Sequence, residues 1–410
     1  MPSEFPSSSL SAPSRLRELA LLFIRLGAVS FGGPAAHIAL IEEEVVRKRQ
    51  WISRQQFLDM VGAANLIPGP TSTELAITVG FARAGWIGLA IAGASFILPA
   101  ALITGAFAWA YVRFGSFPQA GWVLRGIKPA VIAVIAIAIW RLGKAAVKNF
   151  SLGMLSAAAL AAFFLGLNPI AILFGGGVFG MLARQVQSLA VRGTPLLLLS
   201  LPSQFFRARV GSRPFLSSRF ALSATLGAAI PVVRPSLVRL ALFFLKIGAV
   251  LYGGGYVLLA FLDQGLVQQH SWLTHQQLLD AVAIGQFTPG PVLSTATFIG
   301  YILAGAPGAA VATVAIFLPS FFYVALLAPV LARIRKSPWM AAFLDSVNAC
   351  AVALMAGVTF RLAVDALQGW TSWVICACAL GVLLLWKLNP AWVVLGGGLA
   401  GVILALFRLS

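Results

Sequence analysis

Charge is scarce in this chain. Of its 410 residues only 10% are Asp, Glu, Lys or Arg, and the acids are the rarer sign, 11 against 29 Lys and Arg. A soluble domain is nearer a quarter charged. Cysteine is scarce as well. Cys350, Cys376 and Cys378 form no C-x-x-C pair, which argues against a disulfide scaffold or a thiolate metal site and leaves buried, inert thiols. Three histidines, His37, His270 and His275, are too few for a His-rich metal centre, and there is no H-E-x-x-H. No G-x-x-x-x-G-K-[ST] phosphate loop is present, so ATP-driven transport within this chain is not expected. The N-terminus, Met1 to Ser14, has no basic stretch ahead of an apolar core, and no cleavable signal peptide is expected.

What is abundant is apolar surface. The chain is 60% hydrophobic, with a mean hydropathy of +0.94. Several runs reach the ~20 residues that cross a bilayer core. The 40 glycines suit close helix approach in lipid. The fold class is therefore an all-α polytopic membrane protein with about 10–13 spanning or re-entrant segments. The net charge of +18 sits largely in connections, such as Arg47-Lys48-Arg49 and the arginines from Arg184 to Arg219. That is topology signal rather than a nucleic-acid footprint.

Two apolar segments are interrupted in the same way. Asn65-Leu66-Ile67-Pro68-Gly69-Pro70-Thr71-Ser72-Thr73-Glu74 and Gln286-Phe287-Thr288-Pro289-Gly290-Pro291 each place glycine between two prolines, where no helix continues. The interruptions belong to a repeat. Aligning Gly32 with Gly253 sets an offset of 221, and Leu19–Pro70 against Leu240–Pro291 then gives 20 identities in 52 positions. These include Trp51 with Trp272, Gln55 with Gln276 and Asp59 with Asp280. Further on, Gly80 matches Gly300, Pro99 matches Pro319, and Leu167-Asn168-Pro169 matches Leu388-Asn389-Pro390. The chain divides into a disordered tail, 1–16, a first half, 17–182, a basic linker, 183–235, and a second half, 236–410. Loop Glu42–Arg54 is basic, while its counterpart Asp263–His275 has no Lys or Arg, which points to inverted repeats. Against this, Arg113 and Arg333-Ile334-Arg335-Lys336 put basic residues in both members of another loop pair. Trp51 reads as an interface anchor.

Broken helices at matching places in two halves mark a transporter site near mid-membrane. The plain alternative is a pair of packing kinks. Candidate anion-binding residues are Gly32 and Gly33 with their counterparts Gly253 and Gly254. To these are added Asn65, Pro68, Gly69, Pro70, Thr71 and Ser72, and in the second half Gln286, Pro289, Gly290, Pro291 and Ser294. Helix starts after each break offer free N–H groups and a positive dipole end. Arg25 and Lys246 are cations at the same place in both halves and are assigned to the site. Arg141 and Arg361, nearer segment ends, are assigned to snorkelling. Glu74 lacks an acidic counterpart and is a proton carrier or a paired charge. His37 is likewise unmatched, and a lone histidine is commonly structural. Asp59 and Asp280, near segment starts, suit capping or helix-end pairing.

Phe31-Gly32-Gly33-Pro34-Ala35-Ala36-His37-Ile38, the Asn65–Pro70 motif and the doubled architecture together resemble the chromate ion transporter family. The resemblance covers essentially the whole chain outside tail and linker. It implies a bacterial or archaeal inner-membrane protein that exports chromate and confers resistance to it, with sulfate as a mimic. It implies long members of two homologous halves and short members that work as pairs. The partners implied are chromate, sulfate, membrane lipids and a second copy in a homodimer, with no cofactor and no nucleic acid. Gly255 in place of Pro34 and Leu258 in place of His37 make the halves unequal. The competing readings are a transporter of another anion and an intramembrane enzyme on lipid-linked substrates. The enzyme requires a convergent acid, base or metal cluster that the sequence does not offer.

Overall fold

The computed structural model describes residues 12–31, 33–115, 118–191, 235–252, 257–327, 338–386 and 388–409. Among these, regular structure is helical throughout. Helix α1 spans Ala12–Val29, so helix begins inside the segment read as a tail. Helix α2 (Pro34–Glu42) runs on into a wider π turn, Glu43–Lys48. Helix α3 is Arg54–Ala64 and α4 is Thr71–Phe114. Then come α5 (Pro118–Ala146), α6 (Phe150–Phe164) and α7 (Pro169–Val191). The second half repeats the series. Its helices are α8 (Leu237–Val250), α9 (Leu258–Leu262, continuing as the π turn Asp263–Gln269), α10 (His275–Phe287) and α11 (Thr295–Leu327). It closes with α12 (Pro338–Ala366), α13 (Trp370–Leu385) and α14 (Pro390–Leu409).

The repeat extends to backbone detail. Helix α3 opens with a capping box in which Ser53 Oγ accepts from the Gln56 N–H and Gln56 Oε1 accepts from the Ser53 N–H. Helix α10 opens with the same device on Thr274 and Gln277. Asp59 and Asp280 are therefore not the caps of these helices. Gln50 and Ser271 both sit at φ 51°.

Helices α4 and α11 are each two arms, not one rod. Ala84 and Gly85 leave helical geometry, as do Ala304 and Gly305. Gly80 then packs on the Gly88 carbonyl, and Gly300 on the Gly308 carbonyl. Any side chain there would hold the arms apart. In the first half, Glu18 at the start of α1 pairs with Arg49 (3.5 Å) and with Arg83 (3.6 Å), just before the α4 kink. Arg83 lies over the Trp51 ring at 4.8 Å. Trp51 is thus buried beneath arginines and is not an exposed interface anchor. These contacts gather the start of α1, the end of α2 and the α4 kink at one end of the molecule. The breaks at Ser30 and at Asn65–Pro70 lie at the inner ends of the same helices.

Thr71–Phe114, Gly121–Ala146, Val292–Leu326, Trp339–Ala366 and Pro390–Phe407 are long and apolar enough to cross a membrane. The halves interlock. Helix α5 packs on α13 and α14 of the second half, α12 packs on α6 and α7 of the first, and α4 packs on α11. Small residues permit it. A Cβ on Gly126 would meet the Gly401 nitrogen at 2.7 Å, and Gly180 lies against Ser346 at the matching crossing. Lipid gives no hydrophobic drive between helices, so such close approach supplies the association.

Candidate functional site

Four interruptions lie inside the bundle, tied in two pairs across the halves. The Gly69 N–H donates to the Leu251 carbonyl at 2.7 Å, and the Gly290 N–H donates to the Ser30 carbonyl at 2.8 Å. Ser30 and Leu251 are equivalent positions in the repeat, so the two bonds are one bond made twice. Each Pro-Gly-Pro break is thus held by the opposite half's α1-type helix, at the residue where that helix stops. Pro68, Pro70, Pro289 and Pro291 are buried beside them. The glycines are needed. Gly69 has φ +139° and Gly290 has φ +88°, both in the region that favours glycine. A Cβ on Gly290 would meet Ala100 Cβ at 2.7 Å and the Gly27 carbonyl oxygen at 3.0 Å, and one on Gly69 would meet Ser320 Oγ at 2.5 Å. Gly33 caps α2 at φ 81°, with Pro34 as its first residue. Gly32, Gly253 and Gly254 lie outside the described residues.

The first turn of α4 points its side chains inward. Ser72, Thr73 and Glu74 are buried, Glu74 to 0% exposure. Thr71 Oγ donates to Asn65 Oδ1 at 3.3 Å across the break, and Asn65 is exposed. In the second half Ser294 bonds Thr104 at 3.3 Å, and Gln286 is half-buried. His37 Nε2 lies 3.1 Å from the Ser30 carbonyl, the oxygen that holds Gly290. The unmatched histidine therefore braces one break. Ser30 Oγ, His37 Nδ1 and Thr73 Oγ1 are buried without a hydrogen-bond partner among the described residues, and the Glu74 carboxyl faces the Ser320 hydroxyl beside Gly69. Native interiors rarely leave such atoms idle, so each is a candidate contact for water or a solute. Among the described residues no group of three His, Cys, Asp or Glu could hold a metal ion.

The structure does not bring every candidate inward. Arg25 and Lys246 are exposed on the outer flanks of α1 and α8, away from the breaks. Arg141 is exposed, whereas Arg361 lies 3.8 Å from buried Asp263 and over the Phe163 ring at 4.5 Å. Asp280 joins the halves by pairing with Lys128 at 3.1 Å and accepting from Tyr111 at 2.9 Å. Cys350 and Cys376 are buried and Cys378 is exposed, which corrects the expectation that all three thiols are buried. Near the start of α10, His275 is 3.2 Å from Asp263, and the hydrogen bond to that carboxylate raises the imidazole above its ordinary value. Ser320 and Thr104 were not singled out in the sequence. A repeat alignment passes over Ser320 because its counterpart is Ala100, although a lone polar residue beside Pro319 in an apolar helix was a usable signal.

Broken helices that end inside the bundle, tied reciprocally between two homologous halves, define a multi-pass membrane transporter. The chain belongs to the chromate transporter family, whose profile matches it twice, over residues 17–181 and 238–402. A chromate transport protein of Cupriavidus metallidurans is 33% identical over 390 residues, covering 95% of this chain and 93% of that protein. A probable chromate transport protein of Synechococcus elongatus is 32% identical over 375 residues, 91% of each. An uncharacterised transporter of Bacillus subtilis aligns at 32% identity over 130 residues, which are 32% of this chain but 73% of its own length. A chain of roughly half this length thus exists by itself. No solved structure matches the chain significantly. The family is one of membrane transporters and not of enzymes.

Proposed function

We propose that the protein exports chromate across the cell membrane through the space between the two Pro-Gly-Pro breaks. The observation that carries this reading is the reciprocal pair of inter-half bonds, Gly69 to Leu251 and Gly290 to Ser30. It sets two helix starts, each with about half a positive charge, beside buried polar atoms that lack a partner among the described residues. Asn65, Thr71 and Ser72 on one side, and Gln286 and Ser294 on the other, are the donors for a tetrahedral dianion. Arg25 and Lys246 lie outside this inner set while they face outward. Sulfate has the same shape and charge and fits the same donors.

Glu74 is the proton carrier in this reading. Its carboxyl is sealed with no cation partner among the described residues, against Gly69 of the break and near Ser320. Intramembrane acids in such places serve proton relays. An inverted arrangement of the halves is supported by two further contacts. Trp51 lies under Arg83, at the α4 kink where the long arm begins. Asp280, the counterpart of Asp59, bonds Tyr111 near that arm's far end. The arm from Trp86 to Tyr111 is about 38 Å long at 1.5 Å per residue.

Export needs no coupled ion to be favourable. A dianion leaving an inside-negative cell gains roughly 4.6 kcal/mol at 100 mV, enough for a gradient of about three decades. Flux of labelled chromate in vesicles, with and without an imposed potential, tests the proposal. Flux should rise with a potential that drives anions out, and sulfate should inhibit more strongly than perchlorate at equal ionic strength. Perchlorate is a weak hydrogen-bond acceptor and makes poor use of the hydroxyl and amide donors, whereas sulfate accepts strongly. Flux blind to the potential, or equal inhibition by the two anions, overturns the reading.

A further inference from the structure

Away from the breaks, the outer flank of α8 carries a groove of about 430 Å³. Arg239 and Lys246 lie along it, seven residues apart and so two turns apart on one helix face. His270, Gln269 and Asn168 close its end, and Phe243 forms part of its wall. No acidic residue lines the groove. Among the described residues, neither Arg239 nor Lys246 has an ion-pair partner.

The equivalent place in the first half is different, and the difference is a reversal of charge. There Glu18 stands where the second half has Arg239, and Glu44 stands where it has Gly265. Glu18 pairs with Arg49 and Arg83, and Glu44 pairs with Lys48 at 2.9 Å and with Arg49. In the first half Lys48, Arg49 and Arg83 are therefore neutralised internally. In the second half both acids are gone. The Phe243 ring occupies the place a side chain on Gly265 would take. His270, at the Arg49 position, stacks on Trp272 at 4.6 Å. What remains is a walled groove whose Arg239 and Lys246 no acid balances among the described residues.

We infer that this groove is a binding site for the phosphate headgroup of an anionic phospholipid. The setting favours a lipid over a free anion. Leu237, Val238 and Leu242, on the same helix, are 41%, 67% and 60% exposed, so the groove opens sideways onto apolar surface. A lipid can lay its chains there while its phosphate meets Arg239 and His270. Lys246, two turns deeper, can extend its stem towards the same phosphate. Exposed His270, held by its stack on buried Trp272, stands with Arg239 and Lys246 in the groove lining, a basic grouping suited to a phosphate headgroup. The reading does not depend on which anion is transported.

The test uses the purified full-length protein in detergent, equilibrated with phosphatidylglycerol or with phosphatidylcholine, with bound lipid counted by native mass spectrometry. Wild type should retain phosphatidylglycerol in preference to phosphatidylcholine, and millimolar inorganic phosphate or sulfate should not displace it. The double variant Arg239→Gln, Lys246→Gln should bind phosphatidylglycerol about tenfold more weakly or worse, with phosphatidylcholine unchanged. Lys246→Arg should restore retention when paired with native Arg239, which separates a headgroup contact from a folding defect. Circular dichroism on the same samples reports the fold. Equal retention of the two lipids by wild type, or undiminished phosphatidylglycerol on a folded double variant, overturns the inference. Displacement by inorganic phosphate or sulfate also overturns it, and reassigns the groove to a free oxyanion.

Discussion

Glu74 is one of the residues at which the two halves stop being equivalent. Its position falls at Ser294 or Thr295 in the second half, where the chain drops one residue. Its carboxyl is fully buried, and its Oε1 lies on the Cα of Gly69, so the acid is built into the wall of the break itself. Removing its titration while keeping its shape should change coupling more than folding. Glu74→Gln is expected to reach the membrane at normal levels and to carry chromate under an imposed potential. It should lose the response of flux to an imposed pH gradient. A wild-type response in Glu74→Gln vesicles would show that the proton moves elsewhere. The sequence exposed Glu74 as an unmatched acid in an apolar segment. It did not bring out Ser320, because the repeat sets that serine against Ala100. Only the packing of α11 brings that hydroxyl to Gly69.

At the scale of the element, the Pro-Gly-Pro breaks are sockets as well as kinks. Two prolines deny the helix its donors, and the glycine N–H left over is spent on the other half. A side chain at Gly290 meets two constraints at once, a φ of +88° and contact with Ala100 and the Gly27 carbonyl. Gly85 has φ +62° but open space around its Cα. Gly85→Ala is thus expected to cost backbone strain alone, about 1–3 kcal/mol. Gly290→Ala should cost that plus the displaced inter-half bond, about 1 kcal/mol more. The midpoint of thermal unfolding in detergent should be lower for Gly290→Ala than for Gly85→Ala, and chromate flux should fall only in the former. The reverse order would mean that the kink, and not the socket, limits the fold.

The whole molecule is two interlocked homologous halves, and their proposed inversion belongs to this scale. Lys48 and Gln269 are equivalent in the repeat and both are exposed. Single cysteines at these two positions, in a background lacking Cys350, Cys376 and Cys378, should react with an impermeant thiol reagent from opposite faces of oriented vesicles. Reaction from one face would refute inversion for these loops. Interlocking also assigns a role to the last two helices of each half. Helices α6 and α7 pack on α12, and α13 and α14 on α5, so each half completes the other's scaffold. A relative close to the length of one half is intelligible in these terms, since a second copy can supply the same surfaces.

Sequence by itself determined the helical membrane class, the two halves and the position of every Pro-Gly-Pro break. The reason is that hydropathy over ~20 residues, proline chemistry and a repeat offset are all properties of the chain taken locally. It also named Asn65, Thr71, Ser72, Gln286 and Ser294 as the residues at the breaks. Tertiary structure alone decided what each break touches. The Gly69 bond to Leu251 joins positions 182 residues apart, and no local pattern encodes a partner at that distance. It decided the direction of Arg25 and Lys246 too. A cation's place along a helix is written in sequence, but which side of that helix meets the bundle follows from how α1 packs on α4 and α8 on α11. Those packings turned both cations outward, and in the second half they left Lys246 and Arg239 in a groove that no acid lines among the described residues.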